Sequence, residues 1–191
     1  MKDNYHHGNL KNELIETSIH IISQEGFEHL SLRNISSQCG VSHNAIYRHF
    51  DTKDQLIETC QNYVTERLME YLATAISDAA LPSDTTLKNL CAAYVSFYEQ
   101  HPTYYSFLYR NSSTKIYFSL DDTSDNYPPV VLFRQVYWTY GKQKYLSDQE
   151  CLTRLTSLWS FLHGLVALII SPNVVWDGNW QLCLENIIQG D

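Results

Sequence analysis

The sequence predicts an all-α protein in which a three-helix N-terminal head is followed by a long connector helix and a larger helical domain. Apolar residues recur at steps of three and four along most of the chain, and no stretch alternates strongly enough to predict a strand. Glycine, proline and capping residues divide these stretches into helices. One stretch runs from Lys53 to about Ala80, which is too long for the head alone. We expect one domain over residues 1–54 and a second over residues 55–191.

The composition favours a folded protein of a reducing compartment. The chain has 191 residues, which is enough to bury a core without covalent cross-links. Its five cysteines are far apart and show no metal-ligand spacing, which is typical of free thiols. The N-terminus lacks the apolar core of a signal peptide, and the longest apolar run, residues 158–170, contains polar residues and is too short to span a bilayer. We expect a cytoplasmic protein with no membrane partner, no cofactor and no metal.

The head begins with a helix from Leu10 to Gly26, with Glu16 on its outer side, and glycine suits the left-handed end of a helix. Two short helices around a tight turn follow. Ser31 can cap the first of them, Gly40 suits the corner, and Ser42 can cap the second. This spacing is that of a helix-turn-helix.

The second short helix carries side chains suited to reading DNA. Asn44 can pair with an adenine edge, and Ala45 is small enough to approach a thymine methyl group. We expect base contacts from Arg33, His43, Asn44 and Ala45, phosphate contacts from Ser42, Tyr47, His49 and Lys53, and either kind from Arg48. The alternative is a helical hairpin packed in a core, with its aromatic residues as ordinary filler.

The stretch CGVSHNAIYRHFDTKDQLI resembles the TetR (tetracycline-repressor) family of transcriptional regulators. The opening YHHGNL is similar to that of one TetR subgroup, and WSFLHGL, residues 159–165, resembles the Trp-His-Gly signature of a C-terminal domain found in one subgroup. The resemblance implies a homodimer that binds double-stranded operator DNA, most often as a repressor, and whose connector helix swings when a small-molecule effector binds. Residues 1–9 would be either a DNA-contacting arm, as in that family, or a disordered tail.

The charge balance is unusual for a DNA-binding head. The formal net charge of the chain is −8, and residues 1–55 carry five Lys or Arg against seven Asp or Glu. Six of the eight histidines lie in the same segment, where phosphates would favour their charged form: His6, His7, His20, His29, His43 and His49. We therefore expect modest DNA affinity that increases below neutral pH.

Break signals place the remaining helices. Thr52 can cap the connector helix, and Ser83 or Asp84 can cap the next one, which ends at His101. After it we expect a short helix over residues 104–109, a long mobile polar loop over residues 111–129, and helices over residues 130–144, 152–169 and 180–188.

The middle of the chain is rich in aromatic residues that could line an apolar pocket and orient a ligand through phenol hydroxyls. We expect effector contacts from Tyr94, Phe97, Tyr98, Tyr105, Tyr109, Phe133, Tyr137, Trp138 and His163. The alternative is that most of these rings are core, with His163 as a hydrogen-bonded core histidine.

The helix over residues 152–169 carries an apolar stripe at alternating steps of three and four, which is typical of a helix–helix seam. A second stripe, of Leu158, Phe161, Leu165 and Leu168, faces another way, so the helix needs two partners. We expect a homodimer interface formed by Leu152, Leu155, Trp159, Leu162, Val166 and Ile169 with Trp180, Leu184 and Ile187 of the last helix. The alternative is a helix buried inside a monomer.

Two other functions stay open from the sequence. An acidic helical adaptor would bind protein rather than DNA. A small enzyme would need a nucleophile and a base brought together in a cleft, but the spacing shows no nucleophile elbow, phosphate loop or metal-binding pair. We therefore expect no catalytic residues.

Overall fold

A computed structural model describes residues 10–76, 82–110, 115–121 and 126–189. Within these ranges all regular secondary structure is helical, which confirms the all-α prediction. The helices are α1 (Leu10–Glu25), α2 (Leu32–Gln38), α3 (His43–Ile46), α4 (Lys53–Ile76), α5 (Asp84–Gln100), α6 (Pro102–Tyr105), α7 (Pro128–Gln143), α8 (Asp148–Ile169) and α9 (Trp180–Gln189), with a 3-10 turn at Phe27–His29 and a π-helical turn at Ser106–Arg110. The predicted arm, residues 1–9, and the predicted end of the connector helix, residues 77–80, lie outside the described residues.

Contacts divide the chain into two compact units. The N-terminal unit comprises Met1–Glu66 and Thr103–Ser113, and the C-terminal unit comprises Arg67–Pro102 and Thr114–Asp191. The chain therefore passes from one unit to the other inside α4 and returns within α6. We expected the first domain to end at residue 54, whereas the N-terminal unit continues along α4.

The first half of α4 belongs to the N-terminal unit because it packs on α1. Cys60 is fully buried, and its thiol donates a hydrogen bond to the carbonyl oxygen of Ile15 at 3.7 Å. Burial raises the pKa of Cys60 to about 12, so its thiol stays protonated. The other core side chains of this unit are at most 2% exposed and include Leu14, Ile15, Ile19, Ile21, Ile22, Leu30, Ile35, Ile46, Phe50, Leu56 and Phe107.

The predicted helix ends are confirmed by the backbone. After α1, Gly26 has a φ of +92°, a left-handed value that favours glycine. Ser31 caps α2, because its Oγ accepts from the amide of Asn34 at 3.1 Å. Thr52 caps α4 in the same way, accepting from the amide of Gln55 at 3.1 Å. Both caps satisfy amides that the first turn of a helix leaves unpaired.

In the C-terminal unit α5 packs against α7, α8 and α9. Ser83 caps α5 and accepts from the amide of Thr86 at 3.2 Å. Ser147 and Glu150 form a capping box at the start of α8, each side chain accepting from the other residue's amide. The core between these helices includes Leu87, Leu90, Cys91, Tyr94, Tyr98, Phe133, Tyr137, Leu155, Trp159, Leu162, Val166 and Leu184.

Part of the predicted polar loop is held in place. Residues 115–121 have no regular secondary structure, and Asn126 accepts from the amide of Tyr117 at 3.0 Å and donates to its carbonyl oxygen at 2.7 Å. The Arg134 guanidinium donates to the carbonyl oxygens of Ser119 and the next residue at 2.6 and 2.9 Å. Composition predicted a polar loop here, but it could not reveal that Arg134, which lies later in the sequence, hydrogen-bonds to these carbonyl oxygens.

α8 is long and apolar enough to cross a membrane by length and composition, and it is the one such helix in the described ranges. Its apolar character has an explanation in the fold, because seven of its side chains are buried. They are Cys151, Leu155, Leu158, Trp159, Leu162, Leu165 and Val166.

Candidate nucleic-acid interface

The corner of the helix-turn-helix is a glycine-terminated helix end. Cys39 ends α2, and Gly40 has a φ of +65°, which favours glycine. The amide of Gly40 donates to the carbonyl oxygen of Ser37 at 3.2 Å, and the amide of Val41 donates to that of Ser36 at 2.9 Å. These two bonds form a Schellman motif. The backbone thereby fixes the direction in which the chain enters α3.

α3 is a single turn with one buried and one exposed side. Ile46 is fully buried and anchors it in the N-terminal unit. His43 and Asn44, which we predicted to read bases, are exposed, as is Arg33 on α2. Ala45 is half-buried, so it could offer a methyl contact but no deep insertion. A base edge could therefore reach three of the four predicted readers without a rearrangement of the core.

The residues predicted to contact phosphates flank α3. Ser42 occupies its N-cap position, but the hydroxyl makes no capping hydrogen bond within the described part of the chain. Tyr47 is 45% exposed, and its ring lies 5.0 Å from that of His43 in a T-shaped pair. Arg48 is exposed and His49 is half-buried. The Tyr47 hydroxyl, the Arg48 guanidinium and the His49 imidazole could therefore donate to a DNA backbone.

Lys53 has a structural role that the sequence did not reveal. Its half-buried ammonium donates to the carbonyl oxygen of Phe27 at 2.6 Å, which ties the start of α4 to the 3-10 turn after α1. The partner lies far away in the sequence, so no local pattern predicts this bond. An ammonium has three donors, so Lys53 could still contact a phosphate.

The charges near α3 are of both signs. Asp51 and Asp54 lie on either side of the start of α4 and are exposed, as are Arg33 and Arg48. Phosphate attraction therefore contributes less here than in a strongly basic head. Hydrogen bonds and shape must contribute a larger share of any DNA affinity.

Most of the aromatic residues predicted to contact an effector lie in the core. Tyr94, Tyr98, Phe133 and Tyr137 have no exposed surface. The ring of Tyr94 lies 5.1 Å from that of Tyr98, 5.7 Å from that of Phe133 and 5.4 Å from that of Trp159. These are the separations of packed aromatic pairs. These four residues are therefore part of the core, which is the alternative to effector contacts that the sequence left open.

The other predicted effector residues are dispersed. Tyr105 and Tyr109 belong to the N-terminal unit, and Trp138 lies under the Arg134 guanidinium at 4.7 Å. Phe97 lines a groove of about 420 Å³ in the C-terminal unit, together with Arg67, Glu70, Tyr71, Thr74 and His101. A second groove of about 550 Å³ shares Tyr71 and Thr74 and is lined further by Ala75, Asn89, Ala92, Ala93 and Ser96.

His163 is part of the aromatic core. Its Nε2 lies 2.9 Å from the hydroxyl of Tyr94, and its ring lies 5.1 Å from that of Trp159. Burial lowers the pKa of His163 to about 4, because the surroundings disfavour the charged imidazolium. The imidazole is therefore neutral at pH 7.

Most residues of the apolar seam predicted as a dimer interface are buried within the chain's own fold, and the interface stays a prediction. Leu155, Trp159, Leu162, Val166, Trp180 and Leu184 are at most 8% exposed, whereas Leu152 and Ile169 are half-buried and Ile187 is 41% exposed. Spacing identifies an apolar stripe but cannot tell which stripe faces the chain's own core. The exposed apolar residues of these two helices are Leu168, Leu182 and Ile187.

One polar cluster was missed by the sequence. Glu16, which we expected on the outer side of α1, is half-buried and accepts hydrogen bonds from two tyrosines, Tyr63 and Tyr104. No spacing signal relates these three residues. Within the described ranges no group of three or more His, Cys, Asp or Glu side chains could hold a metal ion.

Comparison with known proteins identifies the architecture. Residues 14–60 match the family described as bacterial regulatory proteins, tetR family, and residues 87–189 match the family described as tetracyclin repressor-like, C-terminal domain. The uncharacterised HTH-type transcriptional regulator YerO of Bacillus subtilis is 26% identical over 153 residues, which are 75% of this chain and 52% of that protein. The chain thus spans about half the length of this relative.

Two solved structures show the same fold. A protein of unknown function from Rhodococcus sp. RHA1 superposes with a TM-score of 0.74 at 20% identity, over 99% of this chain and 98% of that one. The fatty acid degradation regulator FadR from Bacillus halodurans superposes with a TM-score of 0.67 at 12% identity, over 96% and 95% of the two chains. Membership of the Trp-His-Gly subgroup, which residues 159–165 suggested, stays a prediction. Since the C-terminal match alone covers more than half of the chain, the protein belongs to the TetR family of bacterial regulatory proteins.

Proposed function

We propose that the protein is a transcriptional regulator that binds a roughly palindromic operator as a homodimer, represses from it, and leaves it when a small effector binds. The observation that carries this proposal is the exposed side of the helix-turn-helix. There His43, Asn44 and Arg48 project from α3 and the turn after it, and the Schellman corner fixes where that helix starts. Membership of the TetR family supports the same function.

The proposed reading geometry follows from the dimensions of B-DNA. An α-helix fits the major groove, and two symmetric heads would enter successive grooves about one helical turn apart, on an operator of about 15 to 25 base pairs. We assign base reading to Arg33, His43 and Asn44, with Ala45 against a thymine methyl group. We assign backbone contacts to Ser42, Tyr47, His49 and Lys53, and either role to Arg48.

We assign the dimer surface to the exposed sides of α8 and α9. Thr153, Ser157 and Ser160 lie on that side of α8, and each hydroxyl donates to a carbonyl oxygen one turn back, at 2.9, 3.0 and 2.8 Å. Another helix could cover this surface without leaving a hydroxyl unsatisfied. Leu168 and Leu182, 47% and 56% exposed, supply apolar area. Two α8–α9 pairs would make a four-helix interface.

The effector would bind in the grooves between α4 and α5. Tyr71 and Thr74 contribute to both grooves, and Phe97 adds an aromatic wall. Arg67 lines one groove, whereas the other is lined largely by small residues such as Ala92. An amphipathic or aromatic molecule with one polar end suits this lining. It could shift DNA binding only by the difference in its affinity for the two states.

The test of operator binding is selection of duplexes from a random pool by the purified full-length protein, at low salt and mildly acidic pH and again at higher salt. We expect an inverted repeat with half-sites one turn apart, enriched more strongly at low salt. If no sequence were enriched under either condition, operator reading would be contradicted and the acidic adaptor would become the better hypothesis.

The test of the dimer surface is Leu182→Asp. We expect monomers in sedimentation velocity, because a carboxylate at a helix–helix interface loses its hydration without gaining a partner. Leu120→Asp is the matched control, since Leu120 is 48% exposed and lies outside α8 and α9. A Leu182→Asp protein that stayed dimeric would show that the interface uses another surface.

A further inference from the structure

The carboxylate of Glu16 joins three elements of the N-terminal unit. The hydroxyl of Tyr63 on α4 donates to its Oε1 at 2.7 Å, and the hydroxyl of Tyr104 on α6 donates to the same oxygen at 2.5 Å. The two tyrosine rings lie 6.5 Å apart at 80°. Together with α1, which carries Glu16, these contacts form what we call the Glu16 node.

The node lies where the chain enters and leaves the N-terminal unit. Along α4 the unit ends at Glu66, one turn after Tyr63. The chain returns at Thr103, the residue before Tyr104. Both of these passages are therefore tied to one oxygen atom of α1.

Other contacts also join these segments, and two of them are hydrogen bonds from α4: the Lys53 ammonium donates to the carbonyl oxygen of Phe27, and the Cys60 thiol donates to that of Ile15. The ring of Phe107, which is fully buried, lies 6.4 Å from that of Phe27, and Cys60 packs against the backbone of α1 at Ile15. Apolar contacts tolerate small shifts, whereas hydrogen bonds weaken steeply away from a narrow range of distance and angle. Bonds from hydroxyls to a carboxylate are also about twice as strong as neutral ones. The bonds of Lys53 and Cys60 join α4 to the α1 segment, whereas the node joins α1 to both α4 and α6 at one oxygen atom, so it can fix the mutual orientation of all three helices.

We propose that Glu16 is a positioning residue that fixes the orientation of the reading head on α4 and α6, and thereby the spacing between the two operator half-sites. The inference rests on the proposed dimeric operator binding, since a spacing exists only between two heads. Base recognition belongs to α3 and does not involve the node. The node therefore affects which spacing is accepted, and leaves the half-site sequence unchanged.

The experiment is the random-pool selection repeated with variants that remove hydroxyls or the charge. Tyr63→Phe and Tyr104→Phe keep the rings and each remove one hydroxyl that donates to Glu16, and Glu16→Leu removes the acceptor of both bonds. We expect the half-site sequence of the wild type, with the preference for its spacing over spacings one base pair shorter or longer reduced about tenfold or more. Glu16→Gln keeps an acceptor oxygen and should fall between wild type and Glu16→Leu.

Two control variants separate positioning from general damage. Glu13→Gln removes a carboxylate from an exposed position one turn earlier on α1, and so makes the same change in the charge of the head. Tyr140→Phe removes a tyrosine hydroxyl from a buried position in the C-terminal unit. Both should retain the wild-type spacing. Thermal melts of all variants identify any that fail to fold. The two Tyr→Phe variants remove only a hydroxyl each, so their selected spacing is the decisive test of the positioning role.

The outcomes distinguish the two proposals. If both Tyr→Phe variants selected the wild-type spacing as sharply as the wild type, the positioning role would be wrong while operator binding stood. A changed half-site sequence in these variants would also contradict it, because the node would then affect α3. If the wild type selected no inverted repeat, the proposed function would fail first and this inference would fall with it.

Discussion

Asn44 is the side chain on which sequence recognition should depend most. It is exposed on α3, and its amide can both donate to and accept from an adenine edge. Asn44→Ala should weaken binding to the selected operator by about 1 to 3 kcal/mol and relax the preference at one base position. Competition binding with operators changed at single positions measures both effects.

Asn62→Ala is the control for that measurement, because Asn62 is exposed on α4 in the same unit. It should bind the operator like the wild type. If Asn44→Ala lowered affinity equally for every sequence, Asn44 would have to be reassigned from base reading to the backbone.

His163 should make stability depend on pH. Its pKa is about 4 in the folded protein and about 6.5 in the unfolded chain, so the unfolded chain binds more protons between these values. Stability is therefore full above about pH 6.5 and is lost as the pH falls toward 4. From pH 7 to pH 5 the loss from this residue should be on the order of 2 kcal/mol. Urea denaturation at the two pH values measures it.

The difference between variants isolates this contribution, since other groups also titrate. His163→Gln should lose part of the pH dependence, whereas His20→Gln, at an exposed position of α1, should keep it. An unchanged pH dependence in His163→Gln would mean that the imidazole is accessible to protons in the folded state.

For individual residues, the sequence predicted which side chains are exposed better than it predicted their hydrogen-bond partners. His43, Asn44 and Arg48 are exposed as their residue types suggested, because α3 is short and only Ile46 can be its inner side. Lys53 could not be placed, since its partner is the distant carbonyl oxygen of Phe27. Partners that are distant in sequence become neighbours only once the helices are packed.

At the scale of elements, two glycines offer a matched pair. A Cβ at Gly40 or at Gly164 would meet no atom within 4 Å, so neither position excludes a methyl group by volume. They differ in backbone conformation, because Gly40 has a φ of +65° and Gly164 lies inside α8. Gly40→Ala should destabilise by about 1 to 2 kcal/mol. Gly164→Ala should stabilise by up to about 1 kcal/mol when measured in the Leu182→Asp background, since Gly164 lies on the side of α8 that we assign to the dimer.

Chemical denaturation of the two proteins tests this pair. The free energy of unfolding should change in opposite directions, since a Cβ is strained in the left-handed corner and favours the helical conformation inside α8. Equal effects would show that the corner can relax, in which case the Schellman bonds do not determine the path into α3.

The helices themselves were largely predictable, because caps and glycine breaks are local. Thr52 and Ser83 cap α4 and α5 as expected, and the bounds of α9 agree with expectation to within a residue. α8 begins at Asp148, before the expected residue 152, and Ser147 is its cap. Both apolar stripes of α8 contribute buried residues, Leu155, Trp159, Leu162 and Val166 from one and Leu158 and Leu165 from the other. Spacing alone could not reveal this, because it depends on how α8 packs against α5 and α7.

At the scale of the whole molecule, charge should make DNA binding sensitive to pH. The net charge of −8 opposes approach to DNA, while phosphates favour the charged form of nearby imidazoles. Operator affinity should rise as the pH falls from about 7.5 to about 6, with a steeper salt dependence by about one ion for each histidine that becomes charged at a phosphate. Titrations of operator binding against salt at the two pH values measure this.

The double variant His43→Gln with His49→Gln should show a flatter pH response, whereas His20→Gln with His29→Gln should not. An equal response from both pairs would mean that the effect arises from overall charge and not from contacts at α3.

The return of the chain to the N-terminal unit also has a consequence for biosynthesis. Phe107 is fully buried in the core of that unit, yet residues 67–102, which belong to the other unit, are translated before it. A ribosome that has released α1 to α4 has therefore not yet released the residues that complete the head. The reading head should mature late, together with α5, and truncation after Glu66 should not yield an independent DNA-binding fragment.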